Sequence, residues 1–271
     1  MSVQFGLFVP PFDALADPRL LADLAAEAEA AGWDGFFVWD HVQYRAPVRA
    51  VADPWIVLAA IATATIRMRI GALVTPLARR RPQIVARQAT TLDALSGGRM
   101  VLGAALGSDQ SGRELSAFGD EMDTRERAAM LDEALDLIEH LWSGATVDHH
   151  GRHYQARDVT FEPPPVQQPR IPVWIGGRWP RRAPIRRAAR WDGYFPIDLT
   201  DPDQLATCAD QIRALRGDLN GFDLIVEAAP HDDPAPWIAA GATWWLSSFG
   251  IERATEADVR RVAAAGPPAT R

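Results

Sequence analysis

The chain has 271 residues, near the upper end for a single domain. Its 35 acidic against 28 basic side chains give a formal charge of −7, which excludes a broad cationic face for nucleic acid or an anionic bilayer. All the basic residues are Arg and the one Cys is Cys208, which excludes Schiff-base lysines, a Walker lysine, disulfide frameworks and four-cysteine metal sites.

The predicted elements alternate along the chain. Phe5 to Val9 reads as a short buried strand. Asp17-Pro18 opens a helix to about Ala31, since Asp caps free amides and Pro suits the first turn, and Gly32 closes it. Gly35 to Trp39 is the second strand and Asp53-Pro54 opens the second helix, to about Ala64. Met68 to Val74 is the third strand, followed by a helix from about Pro82 to Leu95 that Gly97-Gly98 stops. Met100 to Leu106 is the fourth strand. Asp123 and Glu126 have capping-box spacing for a long helix ending near Trp142.

Residues 145–170, rich in His and Pro, interrupt the rhythm and read as an insertion carrying one hairpin. Ile171 to Ile175 is then the fifth strand, with a helix over about 181–190. Gly193 to Ile197, Phe222 to Val226 and Thr243 to Ser247 are the last three strands. Asp201-Pro202 and Asp233-Pro234 open the helices between them, and a terminal helix reaches about Ala265. Gly266-Pro-Pro predicts a frayed tail. No basic stretch leads into a long apolar run, so no signal peptide or membrane span is expected and the cytoplasm is the expected location.

Eight βα units predict a (β/α)8 barrel, as one domain over 1–271 with a short insertion before the fifth strand. Strands apolar throughout fit a parallel sheet covered by helices. In such barrels the active site lies at the strand C-termini. That rule selects Asp40-His41 after the second strand, where an imidazole in the barrel mouth suits proton transfer near neutrality. It also selects Gly176-Gly177-Arg178 after the fifth, where bare backbone can approach a phosphate and Arg178, Arg181 and Arg182 supply cationic forks. Arg186, Arg187 and Arg190 read as surface. Val74-Thr75-Pro76 suits a tightly turned backbone beneath a flat ligand, while Arg79-Arg80-Arg81 reads as the approach to the next helix. Gly107, Asp198, Glu227 and Ser248 complete the strand ends, with Phe8, Phe12 and Trp179 as apolar lining. His149, His150 and His153 lack a carboxylate constellation, so no metal site is expected. One of Trp244 and Trp245 is expected to point outward.

Taken in order, several segments resemble the bacterial-luciferase-like family of flavin- and deazaflavin-dependent oxidoreductases. They are Phe5-Gly-Leu-Phe-Val-Pro10, Gly32-Trp-Asp-Gly35 through Trp39-Asp-His41, Arg67-Met-Arg-Ile-Gly71 with Val74-Thr-Pro76, and Thr91-Leu-Asp-Ala-Leu-Ser-Gly-Gly-Arg99. The Arg125–Trp142 helix, Pro172-Val-Trp-Ile-Gly-Gly177 and Trp191-Asp-Gly193 complete the set, so nearly the whole chain is covered. The resemblance implies a TIM barrel with coenzyme F420, or alternatively FMN, at its mouth. It implies a proton-handling His41 beside Asp40, and a non-prolyl cis peptide within Leu73-Val74-Thr75 behind the ring. It further implies a cofactor-phosphate site at Gly176-Gly177. The sequence departs from the family's Gly-x-Gly-x-Gly with Gly103-Ala-Ala-Leu-Gly107, so Ala stands at 105. The Asp-His pair and the arginines favour F420, whose tail is more anionic. The expected function is hydride transfer between F420 and a small organic substrate. An FMN-dependent monooxygenase and a non-catalytic flavin-binding subunit are the alternatives, and a homodimer is left open.

Overall fold

Eight apolar segments become the staves of a closed parallel barrel in the computed structural model, which describes residues 3–251 and 254–269. The barrel strands are β1 (Gln4–Val9), β2 (Gly35–Val38), β3 (Arg69–Ala72), β4 (Leu102–Ala105), β5 (Val173–Arg178), β6 (Gly193–Ile197), β7 (Asp223–Ala228) and β8 (Trp244–Ser248). They are hydrogen-bonded in chain order, and β8 returns to β1. Between β3 and β4 the ring is completed by the parallel Ile70–Met100 bridge and by Thr75–Pro76, which pairs with Ala104 and Ala105.

The helices that follow are α1 (Pro18–Ala30), α2 (Pro54–Ala64), α3 (Pro82–Ser96), α4 (Thr124–Trp142), α5 (Arg182–Ala188), α6 (Pro202–Arg216), α7 (Ala235–Ala239) and α8 (Glu256–Ala265). None is long and apolar enough to cross a membrane. The Asp-Pro starts work as capping chemistry requires: Asp17, Asp53 and Asp201 each accept a backbone N–H in the first turn. Asp123 caps α4 through Arg125 and Glu126, but the capping box is not reciprocal. Glu121, not Glu126, accepts the Asp123 N–H, and Glu126 pairs with Arg152.

The alternation of side chains along each strand divides the core in two. Phe8, Phe37, Trp174, Phe195, Ile225, Trp244 and Leu246 fill the barrel. The opposite faces pack against the helices. Of the adjacent indoles, Trp244 fills the barrel and Trp245 points outward, where the helices cover it, so both are buried. The filling is tight around the indoles: a Cβ on Gly193 would lie 2.4 Å from Trp174 Cδ1. Arg99 ties the bottom of the barrel. Its buried guanidinium donates to the carbonyls of Ala62, Thr65, Met68 and Ser96, closing the C-terminal end of α2.

The insertion is an antiparallel hairpin, Thr146–His150 with Gln155–Thr160. It is strapped to α4 by Glu133, which accepts the N–H groups of His153 and Tyr154. His149 Nε2 lies 3.3 Å from the same carboxylate, and His153 Nε2 lies 3.7 Å from Glu126. The predicted frayed tail instead packs. Pro267 sits beside Gly32, and Gly266 runs against the Ala31 carbonyl. Thr270 and Arg271 lie outside the described residues.

Candidate active site

The strand C-termini open into a cleft of about 500 Å³. Residues two positions beyond the barrel filling crown its floor: Trp39 above Phe37, Gly176 above Trp174, Ile197 above Phe195 and Glu227 above Ile225. The Leu73–Val74 peptide bond at the end of β3 is cis, and both residues line the cleft. Thr75 does not. It lies between the cleft-lining Val74 and Pro76, so its side chain takes the opposite face, fully buried with its hydroxyl unpartnered. Ala105 and Gly107 line the cleft beside Pro76; Gly107 has φ +72°, and a Cβ there would lie 2.8 Å from Pro76 Cβ.

Asp40 and His41 follow β2, but they belong to different contacts. Asp40 is 2% exposed, and its Oδ1 accepts from Arg79 and Arg80, each at 2.8 Å. It positions the β3–α3 arginines and is not bonded to the imidazole. His41 Nδ1 lies instead 2.7 Å from Glu114 Oε2. Glu114 Oε1 accepts the Val42 N–H at 2.8 Å and Arg79 Nη1 at 2.5 Å. Arg79 thus bridges two buried carboxylates. Burial, the largest influence on Glu114, pushes its carboxyl up. The bond and charge of His41, the charge of Arg79 and the Val42 amide together outweigh it and hold the group below the usual glutamate range. An ionised Glu114 assigns the Nδ1 proton to His41. The Nε2 nitrogen then has no hydrogen-bond partner among the described residues. Tyr44 packs edge-on against the imidazole, with ring centroids 4.8 Å apart, and Phe12 touches both rings.

The far wall differs from the sequence expectation. Gly176, Gly177 and Arg178 belong to β5 itself, paired with Phe195, Pro196 and Ile197 of β6, so the turn begins at Trp179. Bare backbone does not end a parallel ladder, and the strand runs on through both glycines. The space a side chain would need is taken by the chain's own residues: Cβ atoms would lie 2.7 Å from Val74 Cγ1 at Gly176 and 2.1 Å from Pro184 Cβ at Gly177. Arg178 lines the cleft but is half exposed and paired with Asp198. Arg182 is exposed and does not line it. Arg181, Pro184 and Arg187 follow helical spacing and face the cleft, leaving Arg182 turned away. Arg187, read from the sequence as surface, is buried and holds Asp132 of α4 through two bonds. Trp179 lies outside the cleft and packs on the outer core.

That clasp ties the middle of α4 to α5, and in the first turn of α4 stands a residue the sequence does not single out. Arg127 is 7% exposed and lines the cleft. Its Nε and Nη1 are buried without a partner, and Nη2 reaches only Thr124 Oγ1 at 3.5 Å. A buried guanidinium with open N–H groups is built to receive an anion. Its only sequence signal is a position in the first turn of a helix that follows a barrel strand.

A profile of the luciferase-like monooxygenase family matches residues 3–244. The chain belongs to that family. Among curated proteins it is 36% identical over 228 residues to an F420-dependent glucose-6-phosphate dehydrogenase of Beutenbergia cavernae, covering 80% of this chain and 65% of the relative. It is 35% identical over 167 residues to the protein of that name from Kineococcus radiotolerans, covering 59% and 48%. The chain thus spans about half the length of several curated relatives it matches. The coenzyme F420-dependent tetrahydromethanopterin reductase of Methanopyrus kandleri shares the fold at a TM-score of 0.79 and 16% identity, covering 98% of this chain and 99% of that one.

Proposed function

We propose that this protein is an F420-dependent oxidoreductase that moves a hydride between the deazaflavin and a small organic substrate. The observation that carries the reading is one cleft lined both by an anion-seeking guanidinium and by a carboxylate-held imidazole. The names of the F420-dependent relatives support it.

The residues fit the cofactor. Arg127 offers open N–H donors to a phosphodiester, and Gly176 and Gly177 line the same cleft. Leu73, Val74, Pro76 and Gly107 would hold the flat ring along the β3 and β4 ends. When bound, F420 supplies a carbon centre that accepts or gives a hydride. His41 handles the proton that accompanies it. In alcohol oxidation the hydroxyl proton passes to Nε2 while the Nδ1–H stays on His41, donated to Glu114; in carbonyl reduction Nε2 returns its proton. Glu114 stabilises the imidazolium and fixes the ring, as Asp40 does for Arg79. Asp40 is a positioning residue in this scheme.

Fluorescence titration tests the cofactor. F420 is expected to saturate the protein well below about 100 µM, a range typical of working cofactor sites. Arg127→Ala should weaken that affinity by about 10–100-fold, the value of a charge-assisted hydrogen bond. His41→Ala should leave affinity near wild type and lower single-turnover hydride transfer by about 10²–10⁴. Binding of FMN without F420 would replace this reading with the flavin alternative, and binding of neither would end it.

A further inference from the structure

The β7–β8 half of the cleft carries a different chemistry. Glu227 is the penultimate residue of β7, and its side chain follows Ile225 onto the inner face of the barrel. Ser248 of β8 follows Leu246 in the same way and donates to Glu227 Oε2 at 3.3 Å. Around this pair the crown is apolar, formed by Phe8, Trp39 and Ile197. Among the described residues this carboxyl caps no helix and is bonded to no arginine, so the frame does not depend on it.

We propose that Glu227 contacts the substrate, recognising an uncharged carbonyl or hydroxyl compound, and that this half of the cleft turns away phosphate esters. The inference rests on the hydride-transfer reading for its substrate class. It sets this chain apart from relatives named for a sugar phosphate.

Charge placement supports it. The charged groups facing Glu227 are Asp198 at the end of β6 and Arg178 at the end of β5, and they are bonded to each other. Arg187 is likewise taken by Asp132. A phosphate dianion placed over β6 and β7 would meet two carboxyl groups and a cation already compensated, an arrangement that rejects it. A neutral oxygen meets a donor. Burial, the largest influence, pushes the Glu227 carboxyl up to about 7, with Asp198 adding to the rise and Ser248 and Arg178 opposing it. Near neutrality it therefore carries a proton in an appreciable fraction of molecules. It can donate that proton as a hydrogen bond to a carbonyl oxygen while Ser248 holds its other oxygen.

Trp39 beside the site gives a readout independent of turnover. Cyclohexanone and glucose 6-phosphate are titrated against protein with and without F420, following tryptophan fluorescence. Cyclohexanone should bind, and its affinity should fall as pH rises through about 7. Glu227→Gln, which keeps a donor, should bind within a few-fold of wild type and lose that pH dependence. Glu227→Leu should bind about 10-fold or more weakly, with unchanged F420 affinity. Glucose 6-phosphate should bind more weakly than cyclohexanone to wild type and gain on it in Glu227→Gln. Glucose 6-phosphate binding as tightly as the ketone, or a ketone affinity indifferent to both substitutions, overturns the proposal. Absence of F420 binding with the ketone pattern intact would instead overturn the cofactor reading alone.

Discussion

Replacing Arg79 by Met tests whether the network behind His41 is held by charge. Arg79 is 6% exposed and bridges Asp40, fully buried, to Glu114, 3% exposed. Removing one partner of a buried ion pair costs about 3–5 kcal/mol because the other charge is left uncompensated. Here each carboxylate keeps other donors: Asp40 keeps Arg80, and Glu114 keeps His41 and the Val42 amide. The loss should fall at the lower end, about 3 kcal/mol. At about 2–4 °C per kcal/mol for a chain approaching this size, that is a Tm lowered by about 6–12 °C at pH 7. The sign with pH is fixed by Glu114, whose carboxyl is held below the usual range. Its stabilisation is present above the unfolded pKa and is lost as pH falls through the folded one. The gap between wild type and variant should therefore close on acidification. Differential scanning fluorimetry from pH 7 to pH 4 measures both, and adding Glu114→Gln to Arg79→Met should recover part of the loss. A Tm within about 2 °C of wild type at pH 7 would show that the network is not held by charge.

Two further expectations concern the frame. Gly193→Ala puts a Cβ 2.4 Å from Trp174 Cδ1 inside the barrel and should lower stability by about 1–3 kcal/mol in urea unfolding, with an unchanged m-value. Glu29→Gln tests the α2–β3 turn, where this carboxylate accepts the Ile66, Arg67 and Met68 N–H groups. Burial, the largest influence, pushes its carboxyl up, but those amides and Arg67 outweigh it and hold it low. The wild-type advantage of about 1–3 kcal/mol should therefore be present at pH 7 and vanish as pH falls through the folded carboxyl range, followed by urea midpoints.

The barrel was legible because its signals are local. Asp-Pro pairs mark three helix starts by direct side-chain capping, and short apolar runs bounded by turn residues, such as Gly35–Val38, read as buried strands. Boundaries failed where pairing extends past composition. The predicted fifth strand stops at Ile175, but the neighbouring Phe195–Ile197 ladder carries it through Gly176, Gly177 and Arg178. The two adjacent indoles at 244 and 245 read alike in sequence. Only the closure of the sheet, with an inside as well as an outside, buries both.

The site was legible where a residue sits directly at a strand end and illegible where it arrives from elsewhere. His41 and Glu227 follow from the barrel rule alone. Glu114, 73 positions from His41, lies in an irregular segment between β4 and α4, and nothing in Arg113-Glu114-Leu115 marks it for the imidazole. Arg79 reads in sequence as one of three equivalent arginines. The fold separates them, because Arg79 and Arg80 turn inward onto Asp40 while Arg81 becomes the residue before α3. Charge runs are thus resolved by the carboxylates the fold places opposite them. The same logic separates the arginines of the far wall: Arg178 and Arg187 have their acids, while Arg127 lacks partners for two of its nitrogens. A residue left unsatisfied after every intramolecular partner has been assigned is the one that points to something outside the chain.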